Sequence, residues 1–272
     1  MRRAPAAAKL NLALVVGPPR SDGKHEVCTI LQRIDLADRV ELATAPRLTV
    51  RGFSGETLVT RALELLAAEA GVEPRWEARL TKNVPVAAGL GGGSSDAATA
   101  LRLANETLDR PVAHERLLAI ARRLGSDVPF FLVSGPQLGT GDGTELAPLE
   151  LPQDYWVVVV LPDAARKAST ASVYAAYDAH AGANGFEERR ARVHELLPTL
   201  RRARDLAQLP PNDLASSPLA DALVELGAFR ADVTGAGPAV YGLFHRRSDA
   251  EAAKTRIRSH GRVWLTVPAW YF

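Results

Sequence analysis

Residues 83–98 read NVPVAAGLGGGSSDAA, and no other stretch of the chain is as unusual. A strand-like segment and a proline lead into small residues, then four glycines (Gly89, Gly91, Gly92, Gly93) and two serines (Ser94, Ser95), and the run opens an alanine-rich segment that reads as helix. Glycine loses more freedom on folding than any other residue, so a cluster of it needs a reason. Two familiar reasons fail. A P-loop requires G-x-x-x-x-G-K-[ST], but the fifth residue after Gly89 is Ser94 and no lysine follows; a dinucleotide fingerprint requires G-x-G-x-x-G, and Gly89-Leu90-Gly91 again meets Ser94 at the last glycine. What remains is either a flexible turn capped by a serine or an anion cradle. Successive residues without Cβ let backbone N–H groups converge, the helix start adds its positive end, and the two hydroxyls can meet phosphate oxygens or a magnesium ion held by them. Ser94 or Ser95 is the expected N-cap, with Asp96 in the first turn.

Composition narrows the class. The 272 residues suffice for one large domain or two ordinary ones, with 47% hydrophobic and 24% charged residues, as in globular proteins. Net charge is 33 − 31 = +2, which argues against a protein that coats nucleic acid. Cys28 is alone and forms no internal disulfide, in keeping with a reducing cytosol. The six histidines, at 25, 114, 180, 194, 245 and 260, form no H-x-x-x-H pair, so a zinc site is not expected. The apolar run near the N-terminus is short and interrupted by Asn11, unlike a signal peptide, and no run approaches a membrane span. These features predict a cytoplasmic protein with neither nucleic acid nor membrane as partner.

Patterning predicts mixed elements. Lys9 to Val16 alternates as a strand, and short β segments are expected around Ile30 and Val40. Helices are expected at 56–70, 94–108, 114–124, near 170–180, at 187–205, 216–226 and 247–259. Residues 139–152 read as a Gly-rich turn region, followed by Val157–Val160, four valines suited to a strand buried on both faces. Without strict βαβ alternation the class is α+β, with a domain boundary near 150 in LAPLELPQD giving units 1–152 and 153–272.

Two further places could hold chemistry. In LGSDVPFFL, Asp127 follows a helix and enters an apolar run; it is either a hydrogen-bonded cap or a functional carboxylate. In VTGAGPAVYGLF, Gly235 and Gly237 interrupt a hairpin, and a second Gly-x-Gly loop suggests two backbones closing on one ligand. Lys9, by periodicity alone, is a snorkelling strand end.

Taken in order, AKLNLALVV, RSDGKH, LQRIDLADRV, PVAAGLGGGSSDAA, LGSDVPFF and TGAGPAVYGLF resemble the GHMP kinase superfamily, and within it the members that act on a cytidine diphosphate-linked methylerythritol. The matching segments spread from residue 8 to residue 244. The resemblance implies a two-domain GHMP kinase fold, with an N-terminal ribosomal-protein-S5-domain-2-like unit and a C-terminal ferredoxin-like α/β-plait. It implies ATP-dependent phosphorylation of the C2 hydroxyl of the methylerythritol unit, on the non-mevalonate route to isoprenoid precursors, by a monomer or weak homodimer. Pro85, Val86, Ala87, Ala88, Gly89, Leu90, Gly91, Gly92, Gly93, Ser94 and Ser95 would wrap the ATP phosphates, with Ser95 a candidate ligand for Mg²⁺. Lys9 and Asp127 would be catalytic. Asn11, Lys24, His25, Tyr174, Gly235 and Gly237 would line the substrate site, His25 against the cytosine and Tyr174 stacking on it.

Two departures from the family pattern stand out. Ala7 replaces a proline before the first strand, and Lys24 replaces an aromatic residue that would sandwich cytosine with Tyr174. Lys24 either covers the base with its methylenes or turns its ammonium to the diphosphate. It also keeps open another GHMP-type kinase, with a mevalonate- or homoserine-like substrate. A non-enzymatic reading, an anion- or RNA-binding module using RRARVHELLPTLRRARD, finds no interleaved aromatics in that run.

Overall fold

A computed structural model describes residues 1–53, 57–163 and 169–269. The chain opens with two long strands, β1 (Arg2–Pro19) and β2 (His25–Thr44), followed by β3 (Thr49–Arg51), α1 (Leu58–Ala70) and β4 (Trp76–Thr81). Next come α2 (Gly92–Asn105), α3 (His114–Leu124), a 3-10 turn at Pro129–Leu132, β5 (Gln137–Thr140) and β6 (Glu145–Pro148). The remainder is β7 (Trp156–Pro162), α4 (Thr170–Ala179), α5 (Phe186–Leu196), α6 (Pro218–Glu225), β8 (Arg230–Val233), β9 (Val240–Phe244), α7 (Arg247–Ile257) and β10 (Gly261–Thr266).

In the first sheet β2 is the spine. It pairs antiparallel with β1 along one edge and with β4 and β5 along the other, while β3 joins β4 in parallel and β6 joins β5. The expected pair of short β segments is one 20-residue strand. Its alternation is broken by a register shift: Ala7 pairs with Ala37 but Ala8 with Ile34. The bulged Asp35 gives its N–H to Val267 O at 2.8 Å, just beyond β10, so the irregularity is where the second sheet's last strand reaches the first. The second sheet, in the order β10-β7-β9-β8, is antiparallel throughout. Four strands in the order 4-1-3-2, with helices after the first and third, make the ferredoxin-like βαββαβ pattern expected.

Three cores separate the packed layers. One core lies between the first sheet and α1, α2 and α3, built from Leu63, Leu66, Leu101, Ile120 and Phe130 against Val40, Leu42 and Ala78. Between the two sheets lies a second core, where Leu10, Leu12 and Ile30 meet Val157, Val159, Tyr241 and α5. A third packs Val158 and Val160 on α6 and α7. The four valines therefore alternate between two cores, each with no exposed surface, contributing roughly 1.5–3 kcal/mol apiece. Among the described residues no helix is long and apolar enough to cross a membrane.

Three local readings change. The helix expected over 187–205 ends at Leu196 and continues as 3-10 turns, because Pro198 supplies no N–H to an α-helical ladder. The expected turn region 139–152 overlaps the β5–β6 hairpin, which is held by pairing of Thr29–Leu31 with Gln137–Gly139. Neither Ser94 nor Ser95 caps α2: the cap is Gly91, in the left-handed conformation (φ 69°), and no side chain caps the helix. Asp96, expected in the first turn, lies past it, with a carboxylate oxygen 2.6 Å from Lys82 Nζ.

Candidate active site

The loop before α2 enters the helix through Gly91, and the first helical hydrogen bond runs from Ser95 N–H to Gly91 O at 2.9 Å. The N–H groups of Gly92, Gly93 and Ser94 precede that bond, so an uncapped helix end faces outward. Gly93 is exposed, and a Cβ built on it meets nothing within 4 Å. Such space beside backbone donors is what a phosphate group needs.

Two cavities share this loop as a wall. One, about 340 Å³, is bounded by Phe53, Thr57, Leu58 and Lys82 and by Pro85, Val86, Ala87, Ala88, Gly89, Gly91, Gly92, Gly93 and Ser94. The other, about 820 Å³, touches the same loop at Ala87, Gly89, Gly91 and Ser94 and holds Lys9, Asn11, Lys24, His25, Asp127, Tyr174, Gly235 and Gly237. The predicted residues are thus brought together, with two exceptions. Leu90 is buried in the inter-sheet core. Ser95 is 1% exposed and faces a small space with Arg33, Thr99 and Phe131, so Ser94 is the serine on both cavities and Ser95 is misplaced as a metal ligand.

Lys9 does not snorkel. It is 3% exposed in the interior of β1, its N–H donates to Leu90 O at 2.9 Å, and Nζ lies 3.8 Å from Asp127 Oδ2. Asp127 comes from the loop that joins α3 to the 3-10 turn and is 40% exposed. Burial pushes the Lys9 ammonium below its ordinary pKa, and Asp127 partly restores it. A directional relay fixes the ammonium: Nζ donates to Asn11 Oδ1 at 2.5 Å, Asn11 Nδ2 to Thr29 Oγ1 at 2.8 Å, and the Thr29 hydroxyl to Ala13 O at 2.7 Å.

The late glycine loop closes on the early one. Ala239 N–H donates to Ala88 O at 3.1 Å, and Gly89 (φ 81°) passes so close that a Cβ would sit 2.1 Å from Thr234 O. Thr234, fully buried, is the hub: its hydroxyl accepts from Asn11 N–H at 3.1 Å and lies 3.3 Å from Gly89 O. Asn212 holds the loop from behind, its amide donating to Val233 O (2.9 Å) and Gly235 O (2.7 Å). Asp213, next in the chain, ties this segment to β1, its carboxylate accepting from Val16 N–H at 2.9 Å. Sequence reasoning missed Thr234 and Thr29, because one threonine among glycines or in an apolar strand carries no local signal.

At the far end of the large cavity, His25 and Tyr174 lie with ring centroids 4.7 Å apart, tilted by 37°. His25 Nε2 is 2.9 Å from Asp178 Oδ1 on α4. Burial pushes the Tyr174 phenol up to about 12, so it stays neutral. Lys24 is ion-paired to Asp142 between β5 and β6. In the wall of the smaller cavity, Lys82 bridges Asp38 and Asp96, and burial is the main cause that raises Asp96 to about 7. Among the described residues no three His, Cys, Asp or Glu side chains cluster as a metal cage.

Residues 57–135 match the GHMP kinases N terminal domain and residues 186–263 the GHMP kinases C terminal domain. The chain is 38% identical over 267 residues to a 4-diphosphocytidyl-2-C-methyl-D-erythritol kinase of Anaeromyxobacter sp. (strain Fw109-5), covering 92% of this chain and 85% of that one. It is 38% identical to the protein of that name from Pelotomaculum thermopropionicum, covering 93% and 92%. A crystal structure of 4-(cytidine 5'-diphospho)-2C-methyl-D-erythritol kinase superposes with a TM-score of 0.82 at 32% identity, over 98% of this chain and 99% of that one. A mevalonate kinase at 13% identity shares the fold, with a TM-score of 0.76. The chain belongs to the GHMP kinase superfamily, in the family of the 4-diphosphocytidyl-2-C-methyl-D-erythritol kinases.

Proposed function

We propose that the protein transfers the γ-phosphoryl group of ATP to the C2 hydroxyl of 4-diphosphocytidyl-2-C-methyl-D-erythritol, giving the 2-phosphate and ADP. One observation carries the reading: the glycine loop is the common wall of two cavities, and buried Lys9 stands in the larger one paired with the part-exposed Asp127. The smaller cavity takes the nucleotide, its phosphates lying against the N–H groups of Gly92, Gly93 and Ser94. The alcohol enters from the larger cavity, its base resting at His25 and Tyr174.

Phosphoryl transfer passes through a loose transition state, so positioning and charge carry most of the catalysis. Asp127 takes the hydroxyl proton as the O–P bond forms. A carboxylate is a weak base for an alcohol, but in a loose transition state the proton leaves late. Lys9 sets a positive charge 3.8 Å from Asp127 and offsets charge gathering on the transferred group, and Asn11 and Thr29 hold the ammonium in place. Magnesium keeps most of its waters and usually binds through substrate phosphates and one or two protein oxygens, so the donor set fits an ion carried on ATP beside Ser94, where it would neutralise phosphate charge. We assign residues 1–152 and 153–272 to two domains of a cytoplasmic enzyme, monomeric or weakly dimeric, in the non-mevalonate route.

Purified protein with Mg-ATP, offered the cytidyl alcohol, mevalonate, homoserine and galactose, is expected to release ADP with the first alone. Asp127→Asn is expected to abolish transfer while ATP still binds. Retained turnover in the variant would remove Asp127 from its role, and turnover of mevalonate or homoserine instead would replace the substrate.

A further inference from the structure

The large cavity carries a second paired cation at its mouth. Among the described residues lining it, the basic side chains are Lys9, Lys24 and His25. Lys9 is buried and engaged with Asn11 and Asp127. Lys24 stands on the turn between β1 and β2 with its side chain 44% exposed, and its ammonium meets Asp142 from the distant β5–β6 hairpin. Both partners are held by something other than each other. Lys24 N–H donates to Asp22 Oδ1 at 3.0 Å, and Lys24 O accepts from Arg20 N–H at 2.7 Å. Asp142 Oδ1 accepts from Thr144 N–H at 3.1 Å and from the Thr144 hydroxyl at 2.7 Å, which leaves Oδ2 to the ammonium. Burial alone would raise the Asp142 carboxyl; Lys24 and Thr144 outweigh it and hold it below its ordinary value.

A carboxylate fixed in the wall of a cavity repels an anionic ligand, whereas a diphosphate needs a cation or several N–H donors. The diphosphate's need is met if the ammonium changes partner, and the Asp142 carboxylate left behind then opposes the ligand. The four-carbon stem of Lys24 is flexible, and the lysine end of the pair is 44% exposed against 14% for Asp142, so a ligand of greater charge can compete for the ammonium. We propose that Lys24 is a specificity-determining residue for the diphosphate of the substrate, and that Asp142 parks its ammonium at the cavity mouth until the diphosphate takes the carboxylate's place. This rests on the cytidyl substrate proposed above. Asp142 stays anchored on Thr144 when the lysine leaves, so the empty site re-forms the pair.

The test is calorimetric binding of cytidine 5'-diphosphate and of cytidine to the full chain, as wild type, Lys24→Met and Asp142→Asn. Methionine keeps an apolar stem and removes the charge, and Lys24 lies on an exposed turn, so thermal unfolding of the variant should match wild type. Losing one charge-assisted contact should weaken the diphosphate about tenfold in Lys24→Met and leave cytidine within about twofold. Asp142→Asn removes the competing carboxylate and is expected to tighten the diphosphate about threefold, with cytidine unchanged. The preference for diphosphate over nucleoside should fall with added salt in wild type and be salt-insensitive in Lys24→Met. No change in either ligand in Lys24→Met would make Lys24 an apolar cover for the base and overturn the proposal, as would equal weakening of both. If wild type binds neither ligand, the substrate reading itself fails and takes this assignment with it; binding of both with equal affinity overturns the Lys24 assignment alone.

Discussion

Replacing Gly93 by alanine separates what the fold needs from what the nucleotide needs. Gly93 is the second residue of α2, its φ lies outside the left-handed region, and a Cβ there touches nothing within 4 Å. The folded protein alone therefore has no use for glycine here. In a helix, alanine is favoured over glycine by about 0.5–1 kcal/mol, and the lower figure suits a first turn. For a chain of this size about 0.5 kcal/mol raises Tm by roughly 1–2 °C. The ligand side has the opposite sign. The new methyl stands where a phosphate must approach the N–H groups of Gly92, Gly93 and Ser94, and losing one hydrogen bond to a charged oxygen costs about 1.5–3 kcal/mol. That corresponds to an ATP KM raised roughly ten- to a hundredfold. Thermal unfolding without ligand and ADP release at saturating alcohol measure the two effects on one preparation. A Tm at or above wild type with an ATP KM within twofold would refute close phosphate contact at this turn.

Two other substitutions probe the frame around the site. Gly89→Ala puts a Cβ 2.1 Å from Thr234 O in a backbone at φ 81°, so the two glycine loops must part by about 1 Å, and kcat is expected to fall about a hundredfold with a lower Tm; wild-type kcat would show that the loops need not close. Asp96 should make stability fall with rising pH. Burial, opposed by Lys82 and reinforced by Asp38, raises its folded pKa to about 7, whereas the unfolded value is about 3.9. Between those values the folded state holds a proton that the unfolded state has lost, so this group's contribution declines from about pH 4 to pH 7 and is gone above it. Asp96→Asn is expected to flatten the Tm profile between pH 5 and pH 8; an unchanged slope would mean Asp96 is ionised throughout that range.

The fold was legible where one segment decides its own structure. The valines 157–160 read as a doubly buried strand, and each face finds a separate core. His114–Leu124 forms as a helix with the expected bounds, its apolar stripe of Leu117, Ile120, Ala121 and Leu124 turned inward. Readings failed where distant partners decide. The strand β2 carries a bulge that breaks its alternation, and the bulge is stabilised by Val267 from the other end of the chain. The β5–β6 hairpin is four residues a side and rich in glycine; isolated, it would be marginal, and β2 makes it a strand pair.

The candidate site divides in the same way. Glycine loops were visible because glycine is costly, so its clustering is itself a signal. Threonine is not costly, and Thr234 in the sequence TGAG looks like one more turn residue. Its weight comes from Asn11 on β1 and Gly89 on the early loop, which only the assembled fold brings to one hydroxyl. Lys9 shows the limit most plainly. Periodicity makes a lysine on an apolar strand point to solvent, because a buried, unpaired ammonium is too costly to keep charged. Periodicity read the strand correctly and the side chain not, whereas the family resemblance set Lys9 beside Asp127: Asp127 and Asn11 supply the partners that make burial tolerable. A charge kept in a core at that cost is evidence for chemistry rather than for stability, since an apolar residue at position 9 would pack there without needing either partner.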